Sequence, residues 1–225
     1  MIRTLFHGSK SIIKRPVFGY GKTYNDYGRG FYCTEEVDKA MEWAANEDCD
    51  GYVNSYSFDD TGMKILNLND GSYSVLHWIT ILLINREFQT KTPLSKTAKS
   101  YLIDNYSLPY EDYDVITGYR ADDSYFSLAD DFINGAISVN QLSAALRLGN
   151  LGEQYVIKSE RAFKKLKRTG YEVAKSGLWL PQRELREKIA RRQYREMSNE
   201  QYVRGDLYIT KIIDEEVQPD DPRLR

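Results

Sequence analysis

The chain has 225 residues, 41% of them hydrophobic, with 31 Lys and Arg against 33 Asp and Glu. That is long enough for a core of its own, read here as one domain over 1–225, and too near neutrality for overall charge to announce a nucleic-acid or membrane partner. Two cysteines, Cys33 and Cys49, make neither a disulfide framework nor a zinc spacing, so a reducing compartment and no metal site are expected. The longest apolar run, Val75 to Ile84, contains His77 and is too short to span a bilayer, and the first residues lack a signal-peptide layout, so a cytoplasmic location is expected.

In chain order, "IRTLFHG" reads as a strand ending at Gly8, followed by a long glycine-rich, polar connection and the short strand "FYC". Thr34 is a plausible N-cap, with Glu35 and Glu36 in the first turn. Val37, Ala40, Met41 and Ala44 then recur at helical spacing through about Glu47. "GYVNSYSFD" and "MKILNLN" read as strands, Ser72 to Phe88 and Lys96 to Asn105 as helices, and "YDVITGY" as a buried strand. Next come a helix closed by Gly135 and another opened by Ser138 and Gln141 at capping-box spacing.

"EQYVIKS" reads as a strand and "SERAFKKLKRTG" as a helix stopped by Gly170. Pro181, in a first turn, opens a charged helix to about Met197, and "DLYITKII" reads as a last strand, so that a basic helix and strand occupy about 181–213. Early and late strands around a helical block at about 72–150 predict an α+β fold with a mixed or antiparallel sheet.

Three separated pieces bear on chemistry: "LFHGS", "DYGRGFYCTEEVDKAMEWA" and "GEQYVIKSERAF". Their order resembles that of the ADP-ribosyltransferase superfamily, in the poly(ADP-ribose) polymerase and diphtheria-toxin branch. With "YDVITGYRADDSYFS", the chain resembles still more closely a bacterial family filed as domain of unknown function 3990. The resemblance implies a split mixed or antiparallel sheet with a helical insertion, and NAD as co-substrate. It assigns His7 to a ribose hydroxyl and Gly8 to the nicotinamide amide. Gly30, Phe31 and Tyr32 map onto the family's Gly, any residue, Tyr pattern, with Tyr32 stacking on the nicotinamide and Trp43 as a second aromatic wall. Such a sandwich suits a flat cationic ring. Phe31 is expected to fill core instead.

Gln154 stands where polymerase-like members carry Glu, so His7, Tyr32 and Gln154 form the expected catalytic set. An amide can orient a ribose hydroxyl but cannot accept a proton, so transfer of a single ADP-ribose unit is expected, with the acceptor activated by another group. Glu153 is one candidate, although neighbours on a strand point to opposite faces, and Asp122 and Asp123 are others. Arg120 could meet the pyrophosphate, while Asp123 could equally cap a helix. His77 is read as structural, and Cys33 has no histidine placed to activate it.

Lys158 to Arg195 holds 13 Lys and Arg against 4 acids, a local +9 in a chain of net −2. It can be a solvated face, a nucleic-acid surface or a docking site for an acidic inhibitor protein. The expected function is that of an NAD-dependent mono-ADP-ribosyltransferase, a bacterial toxin or defence effector acting on a protein or nucleic acid, with a possible antitoxin partner. Two alternatives stay open: an inactive module of the same fold, kept for binding, and an NAD glycohydrolase.

Overall fold

The computed structural model describes residues 1–120, 126–150, 152–199 and 202–224. Two sheets organise it. The first is antiparallel, ordered β1 (Ile2–Ser9), β3 (Gly51–Asp59), β7 (Leu166–Ala174). The second is mixed, ordered β2 (Phe31–Cys33), β6 (Glu153–Ile157), β5 (Val115–Tyr119), β4 (Ile65–Asn67), with β4 and β5 parallel. A bridge between Phe6 and Thr34 joins the sheets.

Alternation along the strands builds two cores. Leu5 and Phe58 of the first sheet meet Cys33, Val115, Tyr155 and Ile157 of the second. Val156, on the other face of β6, joins a larger core made by α2 (Val75–Asn85), α3 (Pro93–Tyr106), α4 (Phe126–Ile133), α5 (Val139–Ala145) and α8 (Ile209–Asp214). α1 (Val37–Ala44) covers the outer face of the first sheet through Ala40, Met41 and Ala44 against Val53 and Ala174. α7 (Ser176–Ser198) is anchored on α1 by the largely buried pair of Arg186 with Glu42 at 2.6 Å.

Several expected boundaries shift. α1 begins at Val37, and Thr34 accepts the Glu36 amide without capping the helix. The capping box of Ser138 and Gln141 is present, and His77 completes one with Ser74 at the start of α2. Two elements change type. The helix expected to run to Gly170 stops after α6 (Glu160–Phe163), and the chain becomes β7, because β3 has a free edge and Thr169, Tyr171 and Val173 suit a strand. "DLYITKII" folds into α8, with Ile209 and Ile212 three apart, a helical spacing, and buried in the larger core. Pro181 sits inside α7, one turn later than expected.

Most of the basic run is neutralised where it lies. Lys158 pairs with Glu111, Arg161 with Asp114, Lys175 with Asp50, and Arg183 and Arg191 with Glu187. The Arg161 guanidinium holds the Asp114 carboxyl well below the usual range; burial opposes it, and the Ser159 hydroxyl and Lys64 amide add to it. A lowered folded pKa means stabilisation that is complete above the unfolded value of about 3.9 and is lost as pH falls through the folded one. Arg161→Ala should therefore be less stable than the parent at neutral pH, and the gap should close in strong acid; urea melts from pH 7 to 2 would measure it.

Candidate functional site

A cleft of about 650 Å³ opens where β1 diverges from the edge strand β2, and the connection 10–30 closes over it. His7, Gly8, Gly30, Tyr32, Trp43 and Gln154, brought from four different elements and the loop before β2, all line it. Because Phe31 and Tyr32 also line it and neighbouring strand residues face opposite ways, the cleft reaches both faces of β2.

His7 donates from Nδ1 to the Tyr32 carbonyl at 2.7 Å. A carbonyl only accepts, so Nδ1 carries the proton and Nε2 is the acceptor nitrogen of the neutral ring. Burial lowers the His7 pKa, and the bond to Tyr32 offsets this only in part. Phe31 stacks on the imidazole at 4.3 Å, so the residue expected to be core is also a wall of the cleft. Phe6 exchanges both backbone bonds with Thr34. Two residues on, Gly8 turns its own N–H and C=O to that same edge of β1, beyond the bridge.

The glycines have packing reasons as well. A Cβ on Gly8 would lie 2.2 Å from the Ala40 carbonyl oxygen, and one on Gly30 would lie 2.6 Å from Val156 Cγ1. Bare backbone therefore lets α1 seat on β1 and lets the loop lie on β6.

Tyr32 is tied at its tip: its hydroxyl donates to the Gly28 carbonyl at 2.6 Å and accepts the Tyr27 amide at 3.0 Å. Burial pushes the phenol pKa well up, so it stays protonated. Buried Tyr27 in turn donates to the Tyr119 carbonyl, and Lys158 donates to the Tyr27 carbonyl at 2.8 Å. At the start of the connection, buried Asn54 accepts the Ile13 amide at 2.7 Å and donates to Ser9 Oγ and the Ser11 carbonyl, each at 3.1 Å. Asn54→Ala should cost about 2 kcal/mol through unmet buried groups and should make residues 10–14 the first site of limited proteolysis.

On β6, Gln154 is 4% exposed and shares the face of Val156, while Glu153 is exposed on the other side and accepts Asn69 Nδ2 at 2.9 Å. Gln154 Nε2 donates to Asp26 Oδ2 at 3.3 Å, and its Oε1 is buried without a hydrogen-bond partner among the described residues. Asp26 is 5% exposed and also accepts Arg86 Nε at 3.0 Å. Asp26 and Arg86 both line the cleft, and neither stood out in the sequence. Asp26 lies in "TYNDYGRG", where an acid in a polar loop looks like any solvated turn.

Arg120 does not line the cleft. Its guanidinium lies over the Trp43 ring, 4.1 Å from the centroid, and the cations that do line the cleft are Arg15, Lys22 and Arg86. Trp43 Nε1 is buried without a hydrogen-bond partner among the described residues. Asp122 and Asp123 lie outside the described residues. Cys33 is fully buried, and burial raises its thiol pKa, which suits packing and not nucleophilic attack. Among the described residues no cluster of His, Cys, Asp and Glu could hold a metal ion, and no helix is long and apolar enough to cross a membrane.

The family described as "Protein of unknown function (DUF3990)" matches residues 3–168. This chain belongs to that family. The DUF3990 match runs from Arg3 in β1 through β6, takes in the cleft-lining residues among those described, and ends just inside β7. α7 and α8 follow the DUF3990 region. No curated protein and no solved structure matches the chain.

Proposed function

We propose that this DUF3990 protein is an NAD-dependent mono-ADP-ribosyltransferase, a bacterial toxin or defence effector that modifies a protein or nucleic acid. The observation that carries the reading is the meeting of His7, Tyr32 and Gln154, far apart in sequence, in one cleft of about 650 Å³. That volume lies in the range of small-molecule and cofactor sites.

In this reading His7 Nε2 accepts a ribose hydroxyl, and the unpaired edge of Gly8 meets the nicotinamide amide. The ring of Tyr32 lies against the nicotinamide. Trp43 adds a second wall, with one face already covered by Arg120. Arg15 and Lys22 take the pyrophosphate, in place of Arg120.

Incubation with labelled NAD and a bacterial lysate tests the proposal. Label entering macromolecules as single ADP-ribose units is the expected result, together with an NAD-dependent rise in melting temperature. Label released only as free ADP-ribose would make the protein a glycohydrolase. The amide of Gln154 favours a second reading, a pocket kept for binding alone; NAD binding without turnover would establish that one. A parent protein that neither binds nor consumes NAD refutes all three.

A further inference from the structure

We propose that Asp26 is a positioning residue that completes Gln154, supplying from the loop the carboxylate that the strand position lacks. The inference rests on the NAD reading above. Its basis is the pair itself. A carboxylate oxygen can only accept, so the 3.3 Å contact with Asp26 Oδ2 fixes which end of the Gln154 amide is nitrogen. Among the described residues the carbonyl end is thereby left buried and without a partner, an acceptor waiting for a hydroxyl. A charged acceptor on Nε2 also polarises the amide, so that Oε1 binds that hydroxyl more strongly.

Arg86, 3.0 Å from Asp26 Oδ1, favours the ionised acid. With Oδ1 engaged by Arg86 and Oδ2 by Gln154, Asp26 acts through charge and orientation, not as a proton acceptor. The step it serves breaks the bond between ribose C1′ and the nicotinamide nitrogen. The electron pair leaves on neutral nicotinamide, and positive charge spreads over C1′ and the ring oxygen. A lone pair from the acceptor, a hydroxyl, an amine or water, then closes the new bond to C1′, and its proton passes to solvent. A negative charge held one amide away from the 2′-hydroxyl stabilises that cation.

A carboxylate swap in the full chain tests the idea by nicotinamide release and by NAD-dependent melting shifts. Asp26→Ala should lower kcat about 100-fold, the scale of losing one preorganised electrostatic group, and should leave NAD affinity nearly unchanged. Gln154→Glu alone should also be impaired, because two carboxylates would then abut. Asp26→Asn combined with Gln154→Glu restores a donor facing an acceptor and moves the charge onto β6, so it should recover at least about tenfold in kcat over Asp26→Asn alone, or about 1.4 kcal/mol.

If Asp26→Ala does not fold, the Asp26→Asn pair of measurements decides. A purely structural Asp26 would lower the melting temperature of Asp26→Asn and leave kcat of its folded fraction at the parental level. Asp26→Ala with parental kcat, or a double variant no better than Asp26→Asn, overturns the inference. A parent that neither binds nor consumes NAD overturns it together with the NAD reading, so the two failures are distinguishable.

Discussion

Replacing His7 with alanine should lower NAD turnover at least about 100-fold while the fold survives, since on the proposed function the ring supplies a hydrogen bond to the reacting ribose, and within the protein it loses only the bond to the Tyr32 carbonyl and the stack on Phe31. A melting curve near the parent's, beside an absent nicotinamide-release signal, is the expected pair of measurements. Parental turnover in the variant would remove His7 from the site. The pH dependence follows from burial, which lowers the His7 pKa from its ordinary value of about 6.5. The neutral ring, with Nε2 free to accept, then persists throughout the neutral range. Turnover should be flat above about pH 6.5 and fall only below it, once protonation turns Nε2 into a donor. Stability has the same sign. Between the lowered folded pKa and about 6.5 the unfolded chain binds a proton that the native ring refuses, so this contribution weakens as pH drops.

Replacing the next residue, Gly8, with alanine should do the opposite: large damage to stability, with any loss of turnover secondary to it. The new methyl would lie 2.2 Å from the Ala40 carbonyl oxygen and 2.8 Å from the Ala44 nitrogen, both backbone atoms that no rotamer change can move. α1 would have to lift from β1, giving up contacts around Ala40, Met41 and Ala44, at a cost of about 3 kcal/mol or more. Denaturant melts measure it. A change below about 0.5 kcal/mol, the scale of an ordinary surface substitution, would mean that α1 does not seat on β1 as described. Adjacent strand residues thus separate two reasons for "HG": the imidazole has the proposed ligand role, and the glycine lets a helix seat on the strand.

The same division runs through "GRGFYC". Gly30 has no side chain because Val156 occupies that space, and Tyr32 anchors its own loop through Gly28 and Tyr27. Packing acts on the segment alongside the ligand contact proposed for it. A residue's place on a cleft wall is compatible with its place against a core, which is why Phe31 serves both His7 and the inter-sheet cluster.

By itself the sequence determined those elements whose information is local. Hydrophobic period marked β1, β3, β5, β6 and the apolar α2, and the spacing of Ser138 and Gln141 marked the start of α5. Strand alternation put Gln154 and Glu153 on opposite faces, and the register of the resemblance chose Gln154. Only tertiary structure decided that 166–174 pairs with β3, that 209–214 coils, that Arg120 covers Trp43 and that Asp26 reaches Gln154 across 128 positions. Each of those outcomes depends on a partner far away in the chain: a free sheet edge, an aromatic face or a buried amide. Local periodicity has no means of naming such a partner.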